Sequence, residues 1–148
     1  MQTIQAILTI IIAIGVALIG YQQYVVNKNR LKLELFEKRF KVYNELMKVL
    51  ARALMNGDIT RDELNAFGLC KSEGAFLFDS DLGEYLQVVF KKLGDLQAHN
   101  LYMSKCQNPT PEISQKMVDE IFEICNWIQN EFNSCKSRFD KYLQVNWH

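Results

Sequence analysis

The chain has 148 residues, 17 basic and 17 acidic side chains and no net charge, which is the length of one domain and excludes the strongly basic surface of a nucleic-acid-binding module. Two prolines and seven glycines favour helices over a sandwich or barrel built on many turns. The cysteines Cys70, Cys106, Cys125 and Cys135 form no C-x-x-C pair and His99 and His148 are the only histidines, so no zinc pattern exists, and free, mostly buried thiols are expected rather than two disulfides.

From Ile4 to Val26 the chain carries Ile7, Leu8, Ile10, Ile11, Ile12, Ile14, Val16, Leu18 and Ile19, with no charged side chain before Lys28. About 20 such residues, rising 1.5 Å each, span a hydrocarbon layer of ~30 Å. A cleaved signal peptide would need a basic leader and a small-x-small cleavage site, whereas Gly20 runs straight into Tyr21-Gln22-Gln23-Tyr24. Residues 1–27 are therefore expected to be an uncleaved transmembrane anchor. Tyr21 and Tyr24 fall at the membrane interface, and Lys28, Arg30 and Lys32 follow as lipid headgroup contacts. The positive-inside bias then puts the N-terminus outside and residues 28–148 in the cytoplasm. Gly15 and Gly20 are five apart and do not make a G-x-x-x-G dimer face.

No Pro or Gly separates Val25 from Ala53, so the anchor helix is expected to continue as the first rod of the cytosolic domain. Phe36, Phe40, Tyr43, Met47, Leu50 and Leu54 recur in steps of four and three, a coiled-coil-like seam widened by Leu35, Val42, Leu46 and Val49. The width favours packing inside the same chain; a homodimer seam is the other reading. Lys28 to Arg52 holds eight basic and three acidic residues, charge that tethering would bring to anionic headgroups at about 1 kcal/mol per residue close to the surface. Only the residues nearest the bilayer gain that much, because the potential decays within ~8 Å.

Asn56-Gly57 is a helix stop. Thr60-Arg61-Asp62-Glu63 has the capping-box pattern and opens a short helix, expected through about Phe67 with Gly68 ending it. Asp58-Ile59-Thr60 and Asp79-x-Asp81-x-Gly83 each share a few letters with a calcium loop, but neither has the alternating oxygen ligands, the glycine and the closing glutamate. Ala75-Phe76-Leu77-Phe78 is expected to tuck under a bundle before Asp79-Ser80-Asp81 starts the next helix. That helix, from about Leu82 to Tyr102, presents Leu82, Tyr85, Leu86, Val89, Leu93 and Leu96 on one face, with Gly94 as a weak point. His99 stands apart from other ligand types, which suits a surface or capping role. After the loop Cys106-Gln107-Asn108-Pro109, Thr110 and Pro111 open a last helix of about 32 residues. Its stripe is Met117, Ile121, Ile124, Ile128, Phe132, Cys135, Phe139 and Tyr142; Trp127 should border the core and Trp147 be exposed. The fold class is thus all-α: a transmembrane helix continuing into a cytosolic three- or four-helix antiparallel bundle.

A nucleophile needs a base within reach, and the sequence has no G-x-S-x-G, H-E-x-x-H or Walker glycine loop. Carboxylate groups such as Asp119-Glu120 and Glu123 match a solvated helix face. No catalytic residue, metal or cofactor is expected; an enzyme using Cys70 or Cys106 is the chemical rival.

The run Lys32-Leu33-Glu34-Leu35-Phe36-Glu37-Lys38-Arg39-Phe40-Lys41-Val42-Tyr43, with Ala75-Phe76-Leu77-Phe78, Glu84-Tyr85-Leu86 and Phe139-x-x-Tyr142-Leu143, resembles a group of uncharacterised small bacterial single-pass membrane proteins. Those proteins share a K-L-x-L-F-x-K-R-x-x-V-Y segment after the transmembrane helix, then an A-x-F-L-F segment and a helical tail. The resemblance covers most of the chain and implies bacterial origin and the inner membrane, with no activity or cofactor to carry over. The expectation is a non-enzymatic interaction or scaffold protein whose partners are membrane lipid and an unidentified protein, with a homo-oligomer open and no nucleic acid. The alternative is a membrane-perturbing effector acting by self-association, for instance in phage defence.

Overall fold

A computed structural model describes residues 2–106 and 110–144. Among them the chain is all-α, with helices α1 (Gln2–Asn56), α2 (Arg61–Gly74), α3 (Ser80–Lys105) and α4 (Pro111–Phe139). By its contacts the chain divides into two compact units, residues 2–36 and residues 37–144, with α1 passing from one into the other. The first is the apolar part of α1. The second is a four-helix bundle made by the last third of α1 with α2, α3 and α4.

Consecutive helices of the bundle run antiparallel. Lys41 meets Glu73 and Arg52 meets Glu63, each at 3.1 Å, so α1 and α2 run in opposite directions. Lys71 pairs with Gln87 while Gly68 lies against Phe90, which reverses α3 on α2. Arg138 covers the Tyr85 ring while His99 meets Glu120, which reverses α4 on α3. Short connections between neighbours produce this up-and-down order.

Local signals set the helix boundaries. Gly57 has φ 65, the left-handed conformation that ends a helix without a Cβ penalty, and α1 stops at Asn56. The Thr60 hydroxyl accepts from the Glu63 N–H at 3.3 Å and the Glu63 carboxylate accepts from the Thr60 N–H at 3.0 Å, completing the capping box of α2. Asp79 caps α3 by accepting from the Leu82 N–H at 3.2 Å. Thr110 precedes Pro111 at the start of α4, as expected from their order.

The core holds Val42, Leu46, Val49, Leu50 and Ala53 of α1, Phe67 and Cys70 of α2, five residues of α3, and Ile124, Ile128, Cys135 and Phe139 of α4. On α3 these are Leu82, Leu86, Val89, Leu93 and Leu96, with the expected Tyr85 half-buried beside them. The buried face of α1 holds Leu50 of the expected seam and the widening residues Val42, Leu46 and Val49, while the other seam residues lie toward its edge. Phe40 is 47% exposed, while Val42 and Leu46 are fully buried, and Tyr43, Met47 and Leu54 pack at the margin. Small Ala53 and branched Val42 and Val49 allow close approach of the neighbouring helices, so the large aromatics take the flank.

Other expectations also shift. The second helix does not end at Gly68 but runs on to Gly74. A Cβ at residue 68 would sit 3.0 Å from the Phe90 ring, so Gly68 serves close helix contact and not chain reversal. Of the segment at residues 75–78, Leu77 and Phe78 pack on the core, but Phe76 is 92% exposed. Helix α3 is longer at both ends than 82–102, and α4 has 29 residues, with Tyr142 held in the turn after it by its N–H to the Phe139 carbonyl. Trp127 borders the core; Trp147, His148 and the loop residues 107–109 lie outside the described residues. The four cysteines are free, Cys70 and Cys135 buried and Cys106 and Cys125 half-buried.

Candidate membrane anchor and the closing cluster of the bundle

Helix α1 is long and apolar enough to cross a membrane, and none of its most apolar 18-residue window is buried. That distinguishes it from the core helix of a globular protein, whose apolar face is covered. Ile10, Ile11 and Ile12 are all more than half exposed, although successive residues of a helix point to different sides. Thr9 donates its hydroxyl to the Gln5 carbonyl at 2.9 Å, an internal bond that leaves no polar hydrogen for lipid to meet. Tyr21 and Tyr24 are exposed and lie three residues apart, hence on neighbouring positions of one face. Lys28 and Arg30 are exposed and Lys32 half-buried. Arg30 Nε meets Glu34 Oε1 at 3.1 Å, one turn on, an exposed pair of the kind that adds about 0.3–0.5 kcal/mol to a helix.

The bundle unit closes on a cluster that no local pattern in the sequence announces. Arg39 donates from Nε to the Leu77 carbonyl at 3.1 Å and from a terminal nitrogen to the Tyr142 carbonyl at 3.5 Å. Lys141 Nζ meets Asp79 Oδ2 at 2.8 Å. Phe78 sets its ring edge-on to both Phe139 and Tyr142, at 5.4 and 5.1 Å between centroids, and Tyr43 packs on Phe139 at 5.3 Å. One arginine, one ion pair and four aromatic rings thus join α1, the α2–α3 turn and the segment after α4. The hydrogen bond from Lys141, with the one from the Leu82 N–H, holds the Asp79 carboxyl down to about 2. The same bond to Asp79 raises Lys141.

A second polar group lies between α3 and α4. Arg138 stacks 4.5 Å above the Tyr85 ring and meets Glu131 at 3.4 Å. Burial raises the Tyr85 hydroxyl well above its usual value, and burial pushes the Cys135 thiol up to about 11. Burial also raises Cys70 and Cys125. A raised thiol is less often the thiolate that attacks or binds a metal, so these cysteines have the chemistry of packing residues. Among the described residues no three His, Cys, Asp or Glu side chains converge on a point that a metal could occupy.

His99, expected at the surface, is half-buried with Nε2 3.2 Å from Glu120 Oε2, linking α3 to α4. Beside it a cavity of about 310 Å³ is lined by Lys92, Asp95, Glu123 and Ile124. A groove of about 510 Å³ between α1 and α2 has an apolar floor of Val49, Ala51, Ala66 and Phe67 and a rim of Lys48, Arg52 and Glu63. Neither places a nucleophile beside a base. Comparison of the chain with protein-family models, with curated proteins and with solved structures finds no match.

Proposed function

We propose that the chain is a single-pass protein of the bacterial inner membrane, N-terminus outside, whose helical domain lies in the cytoplasm and recruits a partner protein without catalysing a reaction. The observation that carries this reading is the first unit itself: an apolar helix with no buried residue in its central window, followed at once by Tyr21, Tyr24, Lys28, Arg30 and Lys32. Water makes such a helix costly to leave uncovered, and a hydrocarbon layer covers all its sides at once. Aromatic and then cationic residues at one end match the order of headgroup interface and cytoplasmic face. The raised thiols of Cys70, Cys125 and Cys135, and the absence of a nucleophile–base pair in the cavities among the described residues, support a binding role over the cysteine-enzyme reading. Extraction of bacterial membranes with alkaline carbonate tests the placement: the chain should stay with the lipid pellet, and its release would remove the anchor.

A second reading, self-association that gathers several anchors and perturbs the membrane, is favoured by Leu31, Leu33 and Leu35, which are 66%, 42% and 39% exposed just after the anchor segment. A membrane-potential dye separates the two. Steady polarisation at every expression level fits the recruiting protein; depolarisation that grows with expression fits the effector.

A further inference from the structure

We draw no further inference here: the strongest candidate, the exposed apolar face of the α3–α4 hairpin around Val118 and Phe122, carries nothing because nothing in the structure shows what covers it.

Discussion

Replacing Leu46 by alanine measures how far the bundle depends on the last third of α1. Leu46 is fully buried on the α1 face that enters the core. Removing a buried leucine side chain costs the transfer energy of the lost groups and leaves a cavity, together about 2–5 kcal/mol. Phe40, six residues earlier on the same helix, is 47% exposed, so Phe40→Ala should cost about 1 kcal/mol, a fraction of the value for full burial. Urea unfolding of the detergent-solubilised chain, followed by Trp127 fluorescence in a Trp147→Phe background, separates the two. With a urea slope of about 2 kcal/mol per molar, Leu46→Ala should lower the midpoint by about 1–2.5 M and Phe40→Ala by about 0.5 M. Equal shifts, or a larger one for Phe40, would refute the assignment of the buried face of α1.

Gly94 has its nearest side-chain contact for an added Cβ at 3.9 Å, ordinary contact distance, so Gly94→Ala should stabilise the bundle by about 1 kcal/mol of helix propensity, seen as a raised melting temperature. The same change at Gly68 would press on the Phe90 ring from 3.0 Å, and overpacking of about 1–3 kcal/mol should cancel or reverse the gain. Arg39→Gln removes donors to two carbonyls; amide exchange at Tyr142 and Leu143 should quicken about tenfold, while α3 core amides stay unchanged. Asp79 has a folded value of about 2 against 3.8 unperturbed, so the folded chain favours its charged form. Its contribution is full above about pH 4 and is lost as the pH falls through 2, and Asp79→Asn should flatten stability over that window in acid unfolding.

Much of the fold was legible because its signals are local. The capping box at Thr60 and Glu63, the stop at Asn56-Gly57 and the Thr110-Pro111 start each act over four residues or fewer, and the structure realises each as a helix boundary. The stripe of α3 was legible because a single apolar period runs along it. Helix α1 offered two overlapping stripes, one through Phe36 and Phe40 and one through Val42 and Leu46. Choosing between them requires knowing which side its neighbours occupy, which periodicity does not encode. Gly68 misled for a related reason: a glycine that ends a helix and one that admits a phenylalanine ring look alike until the ring is placed. The closing cluster was out of reach, since Arg39 meets partners 38 and 103 residues away and Asp79 meets Lys141 across 62. Read alone, Arg39 was one more basic residue and Asp79 the start of a helix.

The central claim, an anchor with its N-terminus outside and its bundle in the cytoplasm, meets its most direct test in one labelling measurement. Thr3→Cys places a thiol near the N-terminus, while Cys70, Cys106, Cys125 and Cys135 all belong to the bundle unit and act as internal controls. Intact cells treated with a membrane-impermeant maleimide should label the Thr3→Cys protein and leave the wild-type chain unlabelled. Labelling of Thr3→Cys only after the inner membrane is opened, or labelling of the wild-type chain in intact cells, would contradict the topology.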